Sequence, residues 1–88
     1  MTDVEFIRLC KETVKNYTIN HCDKTDVIPN IDVYVVWYCK TLQNWKALLS
    51  TTITDGMYYE MTYNGDKKEL YLDSYKKFEN VCIKAKTT

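Results

Sequence analysis

Met57-Tyr-Tyr-Glu-Met-Thr-Tyr63, then Asn64-Gly65-Asp66, then Lys67-Lys-Glu-Leu-Tyr-Leu72 and Asp73-Ser-Tyr-Lys-Lys-Phe-Glu-Asn80 is the stretch that decides the fold. Two alternating runs flank a turn dipeptide, and a helical pattern follows. Asn-Gly is the strongest short hairpin signal, because a type I′ turn needs positive φ at both central residues and these two tolerate it. A two-residue turn predicts Tyr63 opposite Asp66, Met61 opposite Lys68, Tyr59 opposite Leu70 and Met57 opposite Leu72. The other face then carries Thr62 with Lys67, Glu60 with Glu69 and Tyr58 with Tyr71. Sliding the register by one residue would mix apolar and charged side chains on both faces, which is disfavoured wherever one face is buried. The register has a cost, since Glu60 and Glu69 are like charges set directly across from each other.

Upstream, Thr2-Asp3-Val4-Glu5 has capping-box spacing, and Phe6, Ile7, Cys10, Val14 and Tyr17 recur at helical intervals, so a first helix is expected from Asp3 to Asn20. Between Cys22 and Asn30 the periodicity breaks and Pro29 forbids helix, which predicts a loop. Ile31 to Lys40 is rich in β-branched and aromatic residues and predicts a first strand, with Thr41-Leu42-Gln43-Asn44 as a turn. Trp45 to Thr52 or Ile53 predicts the second strand, and Thr54-Asp55-Gly56 leads into the hairpin. After Leu72, Asp73 or Ser74 can cap a second helix ending near Lys84 to Lys86, with Tyr75, Phe78, Val81, Cys82 and Ala85 as its apolar stripe. The expected fold class is α+β in the order α-β-β-β-β-α, a four-stranded antiparallel meander with two helices packed on one face, over residues 1–88 as a single domain. The expected core is Phe6, Cys10, Val14, Tyr17, Val33, Val35, Trp37, Ala47, Leu49, Met57, Tyr59, Met61, Leu70, Leu72, Phe78 and Cys82, with Trp45 also on the core side.

Length and charge bound the function. Eighty-eight residues bury one modest core, and 45% hydrophobic with 27% charged content is globular. Twelve basic and twelve acidic residues cancel, which argues against counterion-release binding to nucleic acid or to anionic membrane. Six charged residues among the first twenty leave no apolar signal core or membrane span there, so reduced thiols in the cytoplasm are expected for Cys10, Cys22, Cys39 and Cys82. His21-Cys22 near Asp23 and Asp26 imitates a metal cluster, but no paired ligand spacing accompanies it, and neither metal nor cofactor is expected. His21 is the only histidine, two glycines exclude a phosphate-cradling loop, and Glu60 and Glu69 lie on a wet surface rather than in a cleft, so the expectation is no enzyme and no small-molecule substrate.

With both helices on one side of the sheet, the other side presents Asp32, Tyr34, Val36, Tyr38 and Lys40, then Lys46, Leu48, Ser50 and Thr52, then Tyr58, Glu60, Thr62, Lys67, Glu69 and Tyr71. Tyrosine offers a large rigid contact area with a polar tip and is enriched where proteins bind. The expected binding residues are therefore Tyr34, Val36, Tyr38, Leu48, Tyr58, Glu60, Glu69 and Tyr71. A plainer reading is a wet sheet face chosen for β-propensity. A rival one is stacking of unpaired bases on the same aromatics, weakened by the carboxylates that share the face with Lys40, Lys46 and Lys67.

Val35-Val-Trp-Tyr-Cys-Lys-Thr-Leu-Gln-Asn-Trp-Lys-Ala-Leu-Leu-Ser-Thr-Thr52, Asp55-Gly-Met-Tyr-Tyr-Glu60, Thr62-Tyr-Asn-Gly-Asp-Lys-Lys-Glu69, Tyr71-Leu-Asp73 and Tyr75-Lys-Lys-Phe-Glu-Asn80 cover most of the chain. They resemble a family of short proteins encoded by phages and prophages of low-GC Gram-positive bacteria, carried as a domain of unknown function. The resemblance implies no activity. It implies a setting, the cytoplasm of an infected or lysogenic bacterial cell, where many small acidic or neutral proteins act by binding host or phage machinery. The expected function is a non-enzymatic interaction module that binds or inhibits a host or phage protein, or pairs with a second copy as a homodimer, with single-stranded nucleic-acid binding as the alternative.

Overall fold

Thr2 starts the helix. Its Oγ1 accepts the Glu5 amide at 3.2 Å and its carbonyl accepts the Phe6 amide at 3.0 Å, satisfying donors that a helix start leaves free. The computed structural model describes residues 1–21 and 31–85. Helix α1 spans Asp3–His21, and strands β1 (Val33–Thr41), β2 (Asn44–Thr51), β3 (Met57–Asn64) and β4 (Glu69–Lys76) follow in that order. The strands form one antiparallel meander, β1-β2-β3-β4. The loop expected between Cys22 and Asn30 lies outside the described residues.

One face of α1 carries Phe6, Cys10 and Val14, all fully buried against Trp45, Ala47, Leu49, Tyr59 and Met61 of the two central strands. The Phe6 and Trp45 rings stack with centroids 5.1 Å apart, and Tyr17 meets Tyr59 edge-on at 5.8 Å. Thr18 is buried as well, its hydroxyl donating to the Val14 carbonyl at 2.8 Å. Val33, Val35, Met57, Leu70 and Leu72 are half-buried around this centre.

Three expectations are corrected. The β3–β4 turn is not the two-residue type: residues 65–68 form it, and Tyr63 sits opposite Leu70 rather than Asp66. Asn64 Oδ1 accepts the Asp66 and Lys67 amides at 3.1 and 3.2 Å, and Lys68 takes the positive φ, 53°. Gly65 is needed for space: a Cβ there would lie 2.1 Å from the Gln43 carbonyl oxygen. The slip spans an even number of residues, so no side chain changes face. Leu70 and Leu72 stay toward the helix, Glu69 and Tyr71 away from it, and the expected Glu60–Glu69 pairing is replaced by Glu60 opposite Asp73.

The second correction lies in β1. Val35 pairs with Leu49 and Trp37 with Leu48, leaving Val36 as the extra residue of a β-bulge. Beyond it the facing inverts: Tyr38 and Lys40 pair with Ala47 and Trp45 on the helix side, whereas Trp37, expected in the core, is exposed on the other. Lys40 Nζ sits 5.0 Å from the Trp45 ring centroid.

The third concerns the second helix, which is absent among the described residues. The four-residue slip extends β4 to Lys76, opposite Met57, and takes Tyr75 as a rung against Tyr58. The Lys77 amide donates to the Gly56 carbonyl at 2.7 Å, and residues 77–85 continue without regular structure. What remains of the helical stripe is shorter than an isolated helix needs. Phe78 and Cys82, expected in the core, are exposed. The architecture of the described residues is α+β with one helix on the sheet.

Candidate functional site

The side of the sheet away from α1 has no described element over it. Pairing across all four strands sets its side chains in rows. Tyr34, Ser50, Tyr58 and Tyr75 make one row; Trp37, Leu48, Glu60 and Asp73 the next; Cys39, Lys46, Thr62 and Tyr71 a third; beyond it Thr41 pairs with Asn44 and Asn64 with Glu69. Tyr34, Val36, Trp37, Tyr71 and Tyr75 are all exposed, between 43% and 53%. Leu48 and Tyr58 are half-buried among them. Ser50 is buried and its hydroxyl donates to the Met57 carbonyl at 2.8 Å. Leu48, Tyr58, Tyr75, Lys76 and Lys77 line a shallow cleft of about 380 Å³ at the Tyr75 end of the first row.

Six of the eight expected binding residues are set along this face by register. Tyr34, Leu48, Tyr58, Glu60, Glu69 and Tyr71 occupy rows as the alternation implies, and Val36 is the exposed bulge residue. Tyr38 is the correction. The bulge turns it to the helix side, where its hydroxyl donates to Asp3 Oδ2 at 3.4 Å. Trp37 and Tyr75 were missed. Tyr75 was findable, two steps along the alternation from Tyr71, had the strand been carried on to Lys76. Trp37 was not, since the continuous apolar run Val33–Tyr38 carries no signal for which residue is inserted.

The electrostatics of the face are local. Lys46 Nζ lies 3.2 Å from Glu60 Oε1. The Tyr71 hydroxyl donates to Glu69, and that bond, joined by the charge of the carboxylate, pushes the phenol above its ordinary value. By register the rows hold one lysine, Lys46, and three carboxylates, Glu60, Glu69 and Asp73.

A second concavity, about 650 Å³, lies between α1 and β1, with Val4, Ile7, Ile31, Val33 and Tyr38 forming its apolar lining. Arg8, Lys11 and Lys15 with Asp3, Glu12 and Asp32 form mixed-charge margins to it. Convergent titratable side chains are what acid–base chemistry requires. His21 instead bonds the Tyr17 carbonyl through Nδ1 at 2.9 Å and stacks on the Tyr17 ring at 3.9 Å, finishing α1. Among the described residues no group of three His, Cys, Asp or Glu side chains is arranged to hold a metal ion, and no described helix is long and apolar enough to cross a membrane.

A family described as a family of unknown function, DUF6275, matches residues 7–85. No curated protein and no solved structure matches the chain.

Proposed function

The chain belongs to the DUF6275 family of unknown function, and within that family we propose that it is a non-enzymatic interaction module whose open sheet face docks a protein. One observation carries this reading. Tyr34, Trp37, Tyr71 and Tyr75 stand exposed on a single uncovered face around Leu48, and an aromatic patch of that kind marks interfaces more than wet surface. The bulge strengthens the case over the sequence alone, because it exchanges Tyr38 for Trp37, a larger anchor. The setting we assign is the cytoplasm of a phage-infected or lysogenic bacterial cell, supported by the resemblance of the Val35–Thr52 and Asp55–Asn80 stretches to phage and prophage proteins.

Substituting Tyr34, Trp37 and Tyr75 together by Ser tests the reading by affinity capture from host lysate to which untagged copies of this chain have been added. Wild-type protein should retain a specific protein that the folded triple variant loses; equal retention by both would overturn it. The charge balance of the face favours protein over nucleic acid, since a stacking platform for single strands needs a basic surround and here Glu60, Glu69 and Asp73 offset Lys46, Lys76 and Lys77. Fluorescently labelled single strands should show no anisotropy change with the protein at low salt.

A further inference from the structure

We propose that the protein docked on the open face is a second copy of this chain, held by exchange of the C-terminal arm, residues 77–85; the proposal rests on the open face being an interface. The arm leaves the sheet after the Lys77–Gly56 bond, and its apolar side chains are largely exposed. Phe78 is 96% exposed, Ile83 82% and Val81 60%. Three apolar side chains so placed are a surface waiting for a partner, and the same chain carries an uncovered aromatic face of matching character.

Geometry points to reciprocal exchange. The cleft lined by Leu48, Tyr58 and Tyr75 lies at the root of the arm, with Lys77 at its lip and Phe78 the next residue along. A two-fold axis passing beside that root sets the Phe78 of each copy at the cleft of the other without a long span, and a contact related by two-fold symmetry closes at two copies. Beyond Phe78 the arm at about 3.3 Å per residue reaches as far as one strand runs, and because full extension would set Phe78 opposite in facing to Val81 and Ile83, one half-turn at Glu79-Asn80 is needed to carry all three onto the rows of the partner. Covering the apolar side chains of one arm removes roughly 400 Å² from water, and two arms with the faces they cover come to about 1,600 Å², the size of a stable specific interface. Charge agrees in sign. Glu79 follows Phe78 toward a cleft bordered by Lys76 and Lys77, and Lys84 further along the arm meets rows that hold Glu60, Glu69 and Asp73 against Lys46.

Sedimentation of the full chain with two substitutions and their mixture tests the exchange. Wild-type protein should dimerise reversibly, and Phe78→Asp in the arm or Tyr75→Asp in the face should each weaken association at least tenfold, with unchanged circular dichroism. Mixing the two variants should restore a heterodimer of intermediate affinity, because the intact arm of one meets the intact face of the other. Should Tyr75→Asp fail to fold, Tyr75→Ser takes its place. A wild-type chain monomeric at about 200 µM overturns the exchange, leaving the open face to a different protein, whose capture is scored separately. An undiminished Phe78→Asp dimer, or variants that do not complement on mixing, overturns it as well.

Discussion

Leu42 sits at the tip of the β1–β2 hairpin with φ 57°, a conformation that crowds the Cβ of any branched or bulky residue, and its side chain is 80% exposed, so no packing offsets the strain. Asn tolerates that region, and Leu42→Asn should raise stability by about 0.5–1 kcal/mol in chemical denaturation. The tip is held by its neighbours: Gln43 Nε2 donates to Asp66 at 2.8 Å and the Gly65 amide to Asn44 Oδ1 at 3.1 Å. Gly65→Ala would drive a methyl into the Gln43 carbonyl and should destabilise by about 1–3 kcal/mol, visible as a lower denaturation midpoint. In the core, burial pushes the Cys10 thiol up to about 12. The folded state therefore favours the protonated thiol, and this contribution is intact below pH 9.0 and shrinks as pH rises from there toward 12. Iodoacetamide near neutral pH should modify exposed Cys39 and Cys82 while Cys10 stays untouched until the protein unfolds, a difference that peptide mass spectrometry reads directly.

The elements divide by how much of their shape is written locally. Helix α1 was legible because its cap, its period and its end are each local: Thr2 on the Glu5 amide, Phe6–Cys10–Val14 on one stripe, His21 folded back on the Tyr17 carbonyl. The strand faces of β2, β3 and β4 were legible because alternation survives any even slip. The register of β3–β4 was not, since Asn64-Gly65 is a strong turn signal that lost to contacts from another hairpin, those of Gln43 and Asn44. Asn64→Ala removes the acceptor of two turn amides and should cost about 1–2 kcal/mol while leaving the sheet intact by circular dichroism. The bulge at Val36 and the end of β4 were equally out of reach, because both depend on which rung a partner strand offers. Residues 74–85 show the conflict most plainly, with a helical stripe whose first member, Tyr75, the sheet had already taken. Six of the eight expected site residues kept their facing because they lie where alternation alone decides it, Val36 is the insertion itself, and Tyr38 changed sides one step past a local insertion.

The whole molecule is a slab of 54 × 37 × 18 Å with a Cα radius of gyration of 15.4 Å, larger than the roughly 12 Å of a compact chain of this length. Among the described residues a sheet with one helix on one side and no element on the other has this flatness, and an arm leaving one corner adds to the long axis. Both the open face and the arm hold apolar surface in water. The meander itself has a further consequence, in time rather than in space. Every rung joins strands that are neighbours along the chain, so the sheet needs only short loops closed and can assemble hairpin by hairpin, with the longest closures being those of α1 onto β3 and β4, where Tyr17 meets Tyr59 and Ser74. Rapid-mixing kinetics should give refolding on the order of milliseconds, with Ala47→Gly in β2 slowing it and Val14→Ala in α1 chiefly hastening unfolding. A chain built this way can present its aromatic face to a partner almost as soon as it is made.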